Sequence, residues 1–281
     1  MGRIAFRCFA LAAALVFAGM AHAGHYAPVN GLKMYYEDDG HGRPLVMLHG
    51  GLCTIELCLG KLRAELATGR RIIAPELQGH GHTADIDRAM TMEQLTEDVA
   101  ALLRRLDVRD ADFFGFSIGG GIALRLALKY PELVHKVVVF GAQIDKDGLV
   151  PGTAEFLESA KAADFPPEFR EAYAKVAPDP ARFAALVPKV AKTVAMDTGL
   201  GRDRLKCIAA PVLVMVGDAD MVRAEHAVEM YRLLPHANLA VLPRSTHFAP
   251  KDRPKWVAFM TRDFLDAPMP ALAARDACPA R

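Results

Sequence analysis

The sequence predicts an α/β fold: a mainly parallel central sheet flanked by helices, with a helical insertion. Three observations predict it. Apolar runs of strand length recur along the chain and alternate with helical segments, the pattern of right-handed crossovers onto a parallel sheet. The apolar run 111–116 passes through Gly115-Phe116-Ser117-Ile118-Gly119 directly into a Leu- and Ala-rich helical run, 122–130. Between residues 143 and 207 the alternation stops, and prolines and short helical patches replace it.

In order, residues 27–39 alternate polar and apolar and read as an antiparallel hairpin turning at Asn30-Gly31. Residues 45–49 form a continuous apolar run, the mark of a strand buried on both faces; Gly50-Gly51 end it. A helix follows over 57–67, a strand over 71–75, and a glycine-rich loop, Gln78-Gly79-His80-Gly81-His82-Thr83. Thr91-x-x-Gln94 has the form of a capping box, and Leu95, Val99, Leu102, Leu103 and Leu106 follow at helical spacing. Further strands are expected at 137–140, 211–216 and 239–242, and helices at 223–234 and 255–264. The insertion, about 143–207, is expected to roof the sheet's carboxyl edge as a cap. The Ala/Pro-rich tail after Ala267 is expected to be loose.

The chain has 281 residues, 52% hydrophobic and 24% charged, and a formal net charge of +1 without a Lys/Arg cluster. That balance fits a globular core and disfavours nucleic acid or an acidic membrane surface as partner. Residues 1–23 differ from the rest. Arg3 and Arg7 precede an uncharged apolar run, and Ala21-His22-Ala23 has the small-x-small form of a cleavage site. This predicts a signal peptide cut after Ala23, a domain over 24–281, and a periplasmic or secreted location. The run is too short for a stable membrane span, which needs roughly 20 residues. Four cysteines remain: Cys53, Cys58, Cys207 and Cys278. A domain of this size needs no staples, so thiols are expected; Cys53–Cys58 is the one local bridge that export would allow. No metal-type Cys/His spacing is present, and neither metal nor cofactor is expected.

A strand that turns directly into a helix forces its middle residue into a strained backbone and holds the side chain out of the turn. Ser117 is therefore presented at a helix N-terminus, whose partial positive charge favours a developing anion. A serine nucleophile needs a base, and the base needs an orienting acid. Acid and histidine follow in the chain, each after an apolar strand: Gly217-Asp218-Ala219-Asp220 and Ser245-Thr246-His247. Both lie at the sheet's carboxyl edge, the ligand-binding edge of open α/β sheets.

These motifs, with His49-Gly50-Gly51 and Gly79-His80-Gly81, resemble the α/β-hydrolase superfamily over essentially all of the chain after the leader. The resemblance implies the α/β-hydrolase fold with a cap. It makes Ser117 the nucleophile, His247 the general base and then acid, and Asp220 the acid that orients it, with Asp218 and Asp145 as alternatives. The oxyanion donors would be the backbone N–H groups of Ile118 and of Gly51, with Leu52 as alternative. His49, His80 and His82 are expected to hold loops rather than metal, and His226 and His236 to lie at the surface. Where the family loop begins with Asp and carries Arg before its first Gly, this chain has Glu76-Leu77-Gln78.

The expected activity is hydrolysis of small carboxylic esters through an acyl-enzyme on Ser117. A perhydrolase, a lactonase or a C–C bond hydrolase would use the same triad. A non-catalytic ligand-binding protein is the reading from another class. Serine at the elbow disfavours dehalogenases and epoxide hydrolases, which use Asp there. The absence of Pro after His49-Gly50-Gly51 disfavours proline iminopeptidases.

Overall fold

The computed structural model describes residues 24–195, 200–268 and 278. The expected leader, 1–23, lies outside them. β1 (Gly24–Val29) and β2 (Leu32–Gly40) form the expected hairpin. Asn30 and Gly31 turn it with φ of 47° and 85°, the positive pair that matches the twist of adjoining strands. β3 (Arg43–Leu48), β4 (Arg70–Pro75), β5 (Ala111–Phe116), β6 (Val134–Phe140), β7 (Val212–Ala219) and β8 (Ala237–Thr246) complete one sheet, ordered β1-β2-β4-β3-β5-β6-β7-β8. The strands from β4 to β8 pair in parallel; β2 runs antiparallel to β4, so the hairpin extends the main sheet. β8 runs well beyond the short strand expected at 239–242.

Helices cover both faces. α1 (Ile55–Leu66) starts at Thr54, whose Oγ1 accepts the Leu57 N–H at 3.1 Å. α2 (Met92–Arg105) starts at Thr91, whose Oγ1 accepts the Gln94 N–H at 3.1 Å. Gln94 turns its own side chain to Asp98 rather than back to the cap, so half of the expected capping box forms. α3 (Ile118–Lys129) packs into the core on nearly every side.

Between β6 and β7 the chain is helical, with no strand among the described residues: α4 (Thr153–Ser159), α5 (Pro167–Val176), α6 (Phe183–Ala195) and α7 (Arg202–Leu205). Thr193 on α6 donates to the Met90 carbonyl at 2.7 Å, and Lys189 pairs with Asp85. These contacts tie the insertion to the loop between β4 and α2. α8 (Ala224–Leu233), α9 (Ala249–Asp252) and α10 (Pro254–Asp266) complete the chain's helices among the described residues.

The cysteines depart from expectation. All four are bridged, Cys53–Cys58 and Cys207–Cys278. The second bridge links the chain just after α7 to the tail, so the tail expected to be loose is anchored at Cys278. Spacing could not reveal this pairing, because 71 residues separate its partners.

Candidate active site

Ser117 stands between β5 and α3 with φ 54° and ψ −119°, a region L-residues avoid. The flanking glycines explain how the chain tolerates it. A Cβ on Gly115 would lie 2.4 Å from the Gly119 carbonyl oxygen, and one on Gly119 would lie 2.3 Å from that of Leu48. Only hydrogen fits at either place. The Ser117 N–H donates to the Phe140 carbonyl at 2.9 Å, pinning the turn to β6.

His247 follows β8, and its Nδ1 lies 2.7 Å from Asp220 Oδ1. The Asp220 side chain is fully buried and accepts the Val222 N–H at 3.0 Å through the same oxygen. A carboxylate can only accept, so Nδ1 carries a proton, and in the neutral imidazole Nε2 is then the nitrogen with the lone pair. The Phe116 ring packs 4.9 Å from the imidazole, centroid to centroid. Gly141 makes room for the pair. It has φ 57°, and a Cβ there would lie 2.8 Å from His247 Nδ1 and 3.1 Å from Asp220 Oδ2. Sequence reasoning missed Gly141; the available signal was a glycine directly after the buried run 137–140.

Gly51 lies in the loop from β3 to α1, under the cap. A Cβ on it would meet Val190 Cγ1 of α6 at 2.6 Å and Ile118 Cδ1 at 3.0 Å. The next residue, Leu52, has φ 61°, and its N–H donates to His80 Nε2 at 3.0 Å. That bond uses the Leu52 N–H and leaves Gly51 as the loop's candidate donor.

His49 and His80 are both buried and both spanned by backbone. His49 Nδ1 donates to the Gly50 carbonyl, and its Nε2 accepts the Leu77 N–H. His80 Nδ1 donates to the Gln78 carbonyl while Nε2 accepts from Leu52. Burial pushes the His49 pKa down to about 3, with the neighbouring His80 acting in the same direction; burial also lowers that of His80. Each imidazole is thus neutral, with both nitrogens engaged by backbone and none left for a metal. Glu76 replaces the family's Asp and reaches further. Its carboxylate accepts the Ile55 N–H at the start of α1, the His82 N–H and His82 Nδ1. The hydrogen bond to Glu76 raises the His82 pKa. Gln78, in the position of the family's Arg, accepts from Arg88, which also pairs with buried Asp98.

The alternative acids lie elsewhere. Asp218 accepts the Ser245 and Arg244 N–H groups, which hold its carboxyl below the ordinary range and fasten the end of β7 to β8. Asp145 pairs with Arg202 at 2.6 Å, at the base of the cap. His226 corrects an expectation: it is fully buried, and its Nε2 accepts the Ile144 N–H. It shares the inward face of α8 with Ala227 and Met230, which the single polar letter concealed. His236 is exposed, as expected.

Ser117, His247, Gly51 and Ile118 line one cavity of about 90 Å³. Its other walls come from the cap and from Leu52, Phe116, Met221 and Phe248. Among the described residues that line it, His247 is the one ionisable side chain and Gln143 the one amide. A groove of about 740 Å³ between α2, α3 and α6 is larger but shares none of the residues that line the Ser117 cavity.

Residues 45–258 match the sequence profile of the Alpha/beta hydrolase family. A 2-hydroxymuconate semialdehyde hydrolase of Pseudomonas sp. (strain CF600) is 34% identical over 115 residues, covering 40% of this chain and 41% of that protein. The chain therefore spans well under half of that relative in the match. The sn-1-specific diacylglycerol lipase ABHD11 of Mus musculus is 26% identical over 253 residues, covering 79% of this chain and 78% of the relative. Among solved structures, the carbazole-degradation serine hydrolase CarC superposes with a TM-score of 0.73 at 22% identity, covering 88% of this chain and 99% of that one. At that identity the superposition speaks for the fold alone. The profile match takes in the elbow, the buried acid and the histidine after the last strand: this chain belongs to the alpha/beta hydrolase family.

Proposed function

We propose that this protein is a serine hydrolase cleaving small, uncharged carboxylic esters. The observation that carries the reading is the 2.7 Å His247–Asp220 contact, made at the wall of the cavity that Ser117 also lines. Ser117 Oγ attacks the ester carbonyl carbon as His247 Nε2 takes its proton. Asp220 keeps the imidazole in the tautomer that can accept, and stabilises the imidazolium that results. The N–H groups of Gly51 and Ile118 hold the tetrahedral oxyanion, each worth about 3–4 kcal/mol in such sites. Collapse expels the alcohol, protonated by His247. Water, deprotonated by the same nitrogen, then frees the acid.

The cavity supports the substrate class. Among the described residues the lining carries no cation to partner a substrate carboxylate, and burying an unpaired charge is costly. That disfavours a muconate-type C–C substrate of the kind named for the Pseudomonas relative. The cavity is small, at about 90 Å³. It suits an acyl group of a few heavy atoms. Transport by the leader is part of the proposal, and N-terminal sequencing of exported protein beginning at Gly24 would support it.

Initial rates with 4-nitrophenyl acetate, butyrate and decanoate test the reading, together with a lactone, a peracid-forming reaction and a C–C substrate. Acetate and butyrate should be turned over best, and Ser117→Ala should lower kcat by roughly 10³-fold or more. Unchanged turnover by Ser117→Ala, or preference for the C–C substrate, would overturn it.

A further inference from the structure

Gly50-Gly51-Leu52-Cys53 carries the chain from β3 towards α1. On the serine-hydrolase reading it supplies one of the two oxyanion donors, and the inference here rests on that reading. A donor in such a site acts only if it is aimed before the reaction begins. This loop has little intrinsic reason to stay aimed. It contains two glycines, and Leu52 holds φ 61°, where its own Cβ is disfavoured.

Attachments on both sides hold it. His80 Nε2 takes the Leu52 N–H at 3.0 Å. The Cys53 N–H closes back on the Gly50 carbonyl at 3.3 Å. Immediately after Leu52, Cys53 is covalently joined to Cys58 on α1, with both residues about 1% exposed. Glu76 holds the Ile55 N–H at the helix start at 3.2 Å. The bridge spans a sequence separation of only 5. A ring that short restricts the unfolded chain less than a long loop would, and it also fixes local shape where Leu52 meets α1.

We propose that the Cys53–Cys58 disulfide is a positioning element of the active site. By fixing Leu52 and Cys53 to α1 it holds the Gly51 N–H on the developing oxyanion, and full hydrolytic rate requires the bridge to be closed. His80 is its partner in this role, acting through the Leu52 N–H.

The test compares wild-type protein with Cys53→Ala/Cys58→Ala and with Cys207→Ala/Cys278→Ala, using 4-nitrophenyl acetate. The first pair should lower kcat by roughly 10- to 100-fold, with KM within about twofold. The second pair should leave both constants at wild-type values. His80→Ala should reproduce the kcat effect, and His80→Gln, which keeps an acceptor, should recover part of it. Near-UV circular dichroism and thermal melting establish that each variant is folded. Should the double alanine variant not fold, the same rates are measured on folded wild-type protein under graded reductant, with thiols at Cys53 and Cys58 counted by mass spectrometry. Wild-type kcat in the folded variant, or in folded protein with that bridge open, overturns the proposal while the hydrolase reading stands. A wild-type protein that neither turns over esters nor takes a fluorophosphonate at Ser117 overturns both.

Discussion

Gly141 and Ser117 both occupy positive φ, for opposite reasons. At Ser117 the strain belongs to the serine itself, of order 1–3 kcal/mol, and it is retained because Gly115 and Gly119 admit neighbouring backbone where a Cβ would come within 2.4 and 2.3 Å of a carbonyl oxygen. At Gly141 the chain bends so that a neighbour can enter. The His247–Asp220 pair fills the space a side chain would occupy. Gly141→Ala should therefore displace the imidazole without touching the elbow. The expected result is a fall in kcat on the order of 100-fold, since a displacement of about 1 Å can cost that much. Steady-state rates on 4-nitrophenyl butyrate check it, with intact near-UV circular dichroism confirming the fold; an unchanged kcat would contradict the geometry.

The loop between β4 and α2 and the loop between β3 and α1 behave as one element. His49, His80 and Glu76 bond backbone across them in both directions. These bonds require neutral imidazoles, so the element is sensitive to acid. His49 has a folded pKa of about 3 against an ordinary value of 6.5. The unfolded chain therefore binds the extra proton first as pH falls. Stability should be independent of this group above pH 6.5 and should decline between 6.5 and 3, by at most about 1.4 kcal/mol per pH unit. His80 adds to the effect in the same direction. Urea unfolding at pH 7, 6 and 5 measures it, and a flat profile would refute it. This scale also shows what the sequence could reveal. The elbow and the strand runs were legible because close packing leaves few alternatives: glycine where backbone touches backbone, continuous apolar letters where a strand is buried twice. Asp220 and His247 were legible from order and strand ends. The burial of His226, the space kept by Gly141 and the extended reach of Glu76 were not. Each depends on a partner brought from a distant part of the chain, which no local pattern records.

Across the whole molecule the two disulfides have different tasks. Cys207–Cys278 closes a long loop, and the chain-entropy account gives it about 4 kcal/mol, against about 2 kcal/mol for the short Cys53–Cys58 ring. Cys207→Ala/Cys278→Ala should thus lower the unfolding free energy by up to about 4 kcal/mol, read from urea melts of oxidised protein. An unaltered midpoint would remove the bridge from the list of fold-wide stabilisers. The strand order carries a last consequence. Serine, acid and imidazole enter from β5, β7 and β8, and β8 is the final strand of the sheet. On the proposed serine-hydrolase reading, the nucleophile is made long before its base during synthesis. A nascent chain ending ahead of β8 would then carry an inert hydroxyl, so reactivity would switch on only when assembly is complete, and unfinished copies would stay chemically silent towards their surroundings.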